Sequence, residues 1–564
     1  MVGLPKIERV GVLFFVFFFV GGVMIFGLFQ KQILEHQQYA EASTAQSTSQ
    51  TTVPAERGRI FAKDKSGTLV NLAVSDWRYN LIVSPQLIKD KQKFATALAT
   101  DYPAMTATDI FNGVNSDKVF TILAKGLSVD EADKISQQKY RGVSLVPELT
   151  RVYPDGSNIA PQLIGFVGAD GTGKYGLEAS YDNELQGRVG DQKSKRDSLG
   201  RLIDVLSTDQ SRPGSDLVLS IDYNLQFEVE TQLKAAIQTY QADSGAITVM
   251  DPKNGAILAI AGQPNFDPNN YRTVTGDQLY TFQEPAISDV YEPGSVFKSL
   301  TMSEGIDLGL ITPDTVYTPG GSVTVNGHQI FNANNKNFGT ETASQALQNS
   351  DNIWLTHLSS LIGADKERAY LDKFGVGKKT GVDITGEQSG RLPPIASWND
   401  LLRSTAAFGQ GVSTTLLQLT ADYAVIANGG KTVTPHVVDK IVTGDTATLP
   451  TIAPAGVQVI TTDTASKVRD MLASVVNLGE GKRAGVPGMQ VAGKTGTAQV
   501  PDGHGGYSTT AGIGTFVGFF PASDPKFVMA VRLNNPKTVK FAESSAAPTF
   551  GTIADWMANY YSLR

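Results

Sequence analysis

The chain has 564 residues, too many for one hydrophobic core, so two or three domains are expected. With 41% hydrophobic and 18% charged residues it has the composition of a folded globular protein, and a net charge of −7 gives no sign of a nucleic-acid face. The absence of cysteine excludes disulfides, thiolate nucleophiles and cysteine-ligated metals, and five scattered histidines (His36, His328, His357, His436, His504) argue against a histidine-rich metal site.

Residues 10–29 form an uncharged run of 20 residues, which as a helix spans about 30 Å, the thickness of a bilayer core. Lys6 and Arg9 precede it and Lys31 follows, and Glu8 hardly counts, so the bias favours a cytoplasmic N-terminus. A cleaved signal peptide is the rival reading. Ala40 and Ala42 resemble a cleavage site, but the apolar core is too long and ends about ten residues upstream. The expectation is a cytoplasmic tail (1–9), an uncleaved single-pass anchor (10–29) and a chain that lies outside the cytoplasm thereafter. Residues 30–53, rich in Gln, Ala, Ser and Thr from 36 on, read as a solvated tether.

Strand-like and turn-like residues begin at 54–70, and 87–148 reads as helical, with recurring apolar positions in FATALATDY and KVFTILAKGL. Residues 163–187 read as strand, glycine loop, helix. Gly171-x-Gly173-x-x-Gly176 passes a naive dinucleotide test, and Gly168 to Lys174 nearly passes as a P-loop. Tyr175 stands where Ser or Thr must ligate magnesium, and no parallel βαβ series surrounds the loop, so a structural turn is expected. A Pro-Gly turn at 213–214, then a strand and an amphipathic helix, marks a boundary near residue 213. Residues 245–271 read as two strands around an Asn-Gly turn. Further strands alternate near 489–500 and 514–535, with helices at 295–309, 342–362 and 414–429. Strands at both ends with helices between predict a mixed domain on a largely antiparallel sheet.

The chemistry concentrates in three short motifs. Ser295 and Lys298 lie three apart at a helix start, on one helical face. Bringing a lysine from about 10.4 to about 7 takes roughly 4–5 kcal/mol against the ammonium. Val296, Phe297 and Leu300, with a second cation nearby, act in that direction. Ser350-Asp351-Asn352 falls on a loop between two helices, where a hydroxyl and an amide can relay protons and hold a substrate amide. Lys494-Thr495-Gly496-Thr497 lies on a strand, with a glycine where something must approach the backbone closely. Ser-x-x-Lys alone is weak evidence, but all three motifs in this order, about 55 and 140 residues apart, are highly specific. His357 reads as a packed or surface histidine, and Asp351 as a cap for the helix that follows it.

These motifs, with YEPGSVFK, GKTGTAQ, AAFGQGVSTTLLQLTADYAVIANGG, ERGRIFAKD and RVYPDGSNIAPQLIGFVG, resemble class B penicillin-binding proteins over nearly the whole chain, most closely the division-type transpeptidases. The resemblance implies an extended α+β pedestal of the dimerisation type over 54–212. It implies an α/β penicillin-recognising serine transpeptidase domain over 213–564, an antiparallel sheet flanked by helices with a helical subdomain. By the same resemblance Ser295 is the acylated nucleophile, Lys298 its base and Ser350 the proton shuttle, while Asn352 holds the substrate amide. Lys494 supplies positive potential, Thr495 and Thr497 beside Gly496 bind the donor carboxylate, and the N–H groups of Ser295 and Thr497 form the oxyanion hole. The implied function is septal peptidoglycan cross-linking, with no metal and no cofactor. The implied partners are D-Ala-D-Ala stem peptides, amine acceptors, β-lactams, a membrane-embedded glycan polymerase and division proteins. An elongation-type transpeptidase, a D,D-carboxypeptidase and a β-lactam sensor remain as alternatives.

Overall fold

The computed structural model describes residues 9–39, 41, 48–196, 202–450, 456–501 and 507–564. One compact unit takes Met1–Glu56 and Gly187–Pro213, the other Arg57–Gln186 and Gly214–Arg564. In the first, α1 (Arg9–Phe29) runs into a turn of π-helix, and the stretch Val10–Leu34 is long and apolar enough to cross a bilayer. The expected tail up to residue 8 and the cleavage-like residues 40 and 42 lie outside the described residues. Thr48–Val53, Gly190–Arg196 and Leu202–Asp209 form a three-stranded antiparallel sheet in this unit.

The second unit holds a mixed sheet that includes β1 (Ile60–Lys63), β2 (Leu69–Val83), β3 (Thr121–Leu127), β4 (Val143–Val152) and β5 (Asp216–Asp222). β5 lies parallel to β1 on one side and antiparallel to Val438–Thr443 on the other. Strands from both sides of residue 213 therefore share one sheet. Of the helical reading of 87–148, Lys91–Asp101, Ala107–Val114 and Val129–Gln137 are helices. KVFTILAKGL is a correction: it contains β3, paired antiparallel with β2. Its β-branched and aromatic residues suit a half-buried pleated surface, and a run this short has no period strong enough to resist an available sheet edge. The reading of 163–187 also changes. Leu163 and Ile164 belong to a helical turn, and Phe166–Val167 pairs with Gly173–Lys174 as a small hairpin. Gly168 N–H donates to Thr172 O, and Lys174 pairs with Asp170 at 2.9 Å, so the glycine run closes a turn.

Beyond β5, α2 (Tyr223–Tyr240) leads to β6 (Ser244–Met250) and β7 (Ile257–Gln263), the expected hairpin. Next come α3 (Lys298–Asp307), α4 (Ala343–Asn349), α5 (Asn352–Ile362), α6 (Leu416–Ala427) and α7 (Thr462–Leu478). They are followed by β8 (Ala492–Pro501), β9 (Tyr507–Phe520), β10 (Phe527–Asn534) and α8 (Ala546–Tyr560). β7-β6-β10-β9-β8 is a five-stranded antiparallel sheet with β8 at one edge. Side-chain alternation divides its core in two. Ile247, Val249, Phe516, Met529 and Val531 face one side with Leu225 and Val229 of α2 and Phe550 and Ile553 of α8. Ala246, Met250, Val517, Phe519 and Ala530 face the other, with Leu300 of α3 and Tyr423 and Ile426 of α6. Strands this apolar on both faces need helices over both.

Candidate active site

Ser295 sits on a single 3₁₀ turn, Gly294–Phe297, that feeds directly into α3. Gly294 takes φ 61°, a left-handed conformation that a side chain would strain, and donates its N–H to Gly409 O at 3.1 Å. Behind the turn, Tyr423 Oη on α6 donates to Val296 O at 2.8 Å and shares a 2.8 Å hydrogen bond with Ser299. The turn is thereby fixed from two sides.

β8 packs directly on it. A Cβ on Gly496 would lie 2.9 Å from both Pro293 O and Val296 Cγ1, which is why only glycine fits between strand and turn. The close approach expected at Gly496 is thus made by the segment that carries Ser295.

The Ser350-Asp351-Asn352 loop joins α4 to α5. Ser350 ends α4 in a left-handed conformation, φ 59° and ψ 45°, which costs of order 1–3 kcal/mol for a residue with a side chain. Asp351 accepts from Trp354 N–H at 2.8 Å and caps α5, as the sequence suggests. Asn332 holds the loop from outside, accepting from Asn352 N–H at 2.6 Å and donating to Asp351 at 3.0 Å. Asn352 Nδ2 donates to Phe331 O at 2.8 Å.

Two buried lysines meet at Ser350. Lys298 Nζ donates to Ser350 O at 2.6 Å and to its Oγ at 3.1 Å. Lys494 Nζ donates to the same Oγ at 3.0 Å. Both side chains are fully buried. Burial pushes the Lys298 amine down from 10.5 to about 7, and Lys494 adds to the push, while Glu480 and Asp351 oppose it. Burial also lowers the pKa of Lys494, against the pull of Glu480 and Glu543. Among the described residues Ser295 Oγ makes no hydrogen bond. The hydrogen bonds of Lys298 Nζ thus go to Ser350, and none joins it to Ser295 among the described residues.

Thr495 and Thr497 share a face of β8 but differ in setting. Thr495 is buried, with Oγ1 donating to Glu480 Oε2 at 3.2 Å, whereas Thr497 is exposed and accepts from Ala542 N–H at 3.1 Å. Lys494 pairs with Val517, which places it on the opposite face, toward α3. Its Nζ reaches sideways to 3.3 Å from Thr495 Oγ1, the lateral reach that a regular strand requires of it. His357 stacks on Tyr317 with ring centroids 3.9 Å apart and is a packed residue.

Glu480, Asn332, Gly409 and Tyr423 are the parts that sequence reading missed. Glu480 lies in a Gly-Glu-Gly turn after α7, with its carboxylate 3.5 Å from Lys494 Nζ and its side chain 34% exposed. That charge between two glycines just upstream of the third motif was the available signal. The other three sit in segments whose spacing ties them to none of the motifs.

Two buried lysines of lowered basicity that share the Ser350 hydroxyl, close to the turn that carries Ser295, form the kind of setting in which a lysine can assist acyl transfer. A family model for the penicillin-binding protein transpeptidase domain matches residues 245–555, and one for the penicillin-binding protein dimerisation domain matches 52–219. Stage V sporulation protein D of Bacillus subtilis is 34% identical over 88% of this chain and 77% of its own length. The peptidoglycan D,D-transpeptidase FtsI of Escherichia coli is 32% identical over 77% and 71% respectively. Penicillin-binding protein 3 of Mycobacterium tuberculosis in complex with aztreonam superposes with a TM-score of 0.71 at 29% identity, covering 91% of this chain and 98% of that one. The chain belongs to the class B penicillin-binding proteins.

Proposed function

We propose that this protein cross-links peptidoglycan by serine acyl transfer, with Ser295 as nucleophile and Lys298 as its base. The observation that carries the reading is the Ser350 hydroxyl bridging two buried ammonium groups, one of them brought to about 7. A lysine so placed is half neutral near pH 7 and can accept a proton.

The donor peptide ends in D-Ala-D-Ala. Ser295 Oγ attacks the penultimate carbonyl carbon as its proton passes to Lys298. Hydrogen bonds at a resting site are often long and tighten only when substrate binds, which accommodates the unpaired Ser295. The N–H groups of Ser295 and Thr497 hold the oxyanion. The C–N bond then breaks, and the proton moves through Ser350 to the departing amine of D-Ala. An acceptor amine attacks the resulting ester, returns a proton through the same groups and frees Ser295. Lys494, Thr495 and Thr497 orient the donor carboxylate, and Asn352 holds a backbone amide of the peptide with the N–H and Oδ1 that Phe331 does not use. β-Lactams would acylate Ser295 along the same path, and no step calls for a metal or cofactor.

The site then works outside the cytoplasm, tethered by α1 with its N-terminus inside. A septal role, with a membrane-embedded glycan polymerase and division proteins as partners, rests on the resemblance of the motifs; filaments on depletion support it and rounded cells point to elongation. The acyl-transfer test is product release from a D-Ala-D-Ala donor with and without an amine acceptor. Cross-linked product that needs the acceptor and vanishes in Ser295→Ala is expected. Hydrolysis alone would make the protein a carboxypeptidase.

A further inference from the structure

Thr495 and Lys494, the groups assigned above to the donor's terminal carboxylate, are already engaged by a carboxylate. Glu480 Oε2 accepts from Thr495 Oγ1 at 3.2 Å and lies 3.5 Å from Lys494 Nζ. An anionic ligand seeking that hydroxyl and that field meets a like charge in place.

The turn that carries Glu480 is pinned. Glu480 N–H donates to Gln348 O at 3.2 Å, and Gly481 N–H donates to Val475 O at 3.1 Å. A Cβ on Gly479 would lie 2.5 Å from Gln348 O, so the backbone sits hard against the end of α4. The side chain is not pinned in this way, since a third of it faces solvent. Side-chain rotation into water is therefore the route by which the carboxylate leaves, with no movement of the catalytic loops.

We infer that Glu480 is a specificity-determining residue whose carboxylate occupies the donor-carboxylate subsite in the resting enzyme and is displaced by an anionic ligand. This rests on the carboxylate-binding role given to Thr495 and Lys494. Apparent affinity scales with the fraction of enzyme whose subsite is vacant, so the resident carboxylate weakens every anionic ligand by a common factor and leaves uncharged ones unaffected. Like charges held this close near a protein surface interact strongly enough that removing one is worth on the order of tenfold.

The test is the second-order acylation rate constant of the full chain with benzylpenicillin and with its uncharged methyl ester. Glu480→Gln keeps an acceptor for Thr495 but removes the charge, and Glu480→Ala removes both. The acid-to-ester ratio is the readout, because it cancels any change common to both ligands, including a change in Lys298 basicity. Both variants are expected to raise the ratio about tenfold, through faster reaction of the acid. A ratio that is unchanged overturns the inference. So does a ratio that falls, which would mean that Glu480 aids anions by keeping Lys494 charged. Ser295→Ala separates this from the acyl-transfer reading: continued labelling in that variant sinks the reading itself, whereas silence there with an unmoved ratio in Glu480→Gln sinks only the inference.

Discussion

Replacing Lys298 with Met should abolish acylation and stabilise the fold, and both effects follow from one shift. Burial first, and Lys494 second, bring the amine from 10.5 to about 7. That difference corresponds to about 4–5 kcal/mol against the ammonium. For activity, the neutral amine is about half the population at pH 7 and about 1% at pH 5, so wild-type acylation falls about tenfold per pH unit on the acid side. An exposed lysine would place that limb above pH 10. For stability, the depressed folded value sets the sign. Above 10.5 neither folded nor unfolded chain carries the proton, and burial of the amine costs least. Between 10.5 and 7 the unfolded chain alone is protonated, so wild type loses about 1.4 kcal/mol for each unit that pH falls. Below 7 both states are protonated and the loss is complete. Lys494, also depressed, acts with the same sign in both proteins and cancels to first order. The stability advantage of Lys298→Met over wild type should therefore grow by about 2–3 kcal/mol from pH 9 to pH 7, read by urea unfolding at each pH. A difference independent of pH, or an acid limb above pH 9, would refute the neutral-base account.

Thr497→Val should slow acylation by an anionic β-lactam about ten- to a hundredfold, as expected for a lost hydrogen bond to a charged group, and slow the neutral ester less; equal defects with both ligands would mean that the hydroxyl does not read the carboxylate. Gly496→Ala puts a Cβ 2.9 Å from Pro293 O and Val296 Cγ1, so the turn bearing Ser295 must shift. The expected loss is roughly a hundredfold in acylation rate, and a variant that labels at the wild-type rate contradicts the packing argument. A fragment starting at Gly214 retains all three motifs and should still label with a reporter penicillin. It lacks β1, however, and so exposes one edge of β5. Its melting temperature should fall below that of a fragment starting at Arg57, and equal values would show that the shared sheet contributes nothing.

The parts of the site that were legible in the sequence are those whose chemistry fixes their spacing. Ser295 and Lys298 must share a helical turn, and Asp351 must stand just before the helix that it caps. The close approach at Gly496 could be read from a glycine in a strand, though not the identity of its neighbour, because Pro293 and Val296 come from 200 residues away. Glu480 left only a weak signal, a charge between two glycines, because its relation to Thr495 is made by a turn and not by a periodicity. The error at 118–127 is of another kind. Two lysines and a mixture of β-branched and small residues suit either helix or strand, and the free edge of β2 decided the matter. In the five-stranded sheet β6 and β7 were legible from the Asn-Gly turn between them and the C-terminal strands from their strand-like alternation, whereas the continuation of a sheet across residue 213 pairs segments more than 150 residues apart.

The central claim is that Ser295 carries the acyl group, and intact-mass measurement of the full chain after reaction with a reporter penicillin, followed by peptide mapping, tests it most directly. The account predicts a single adduct on the peptide that contains Ser295, absent in Ser295→Ala and nearly absent in Lys298→Met. An adduct on Ser350 or on any other residue, or undiminished labelling of Ser295→Ala, would contradict it.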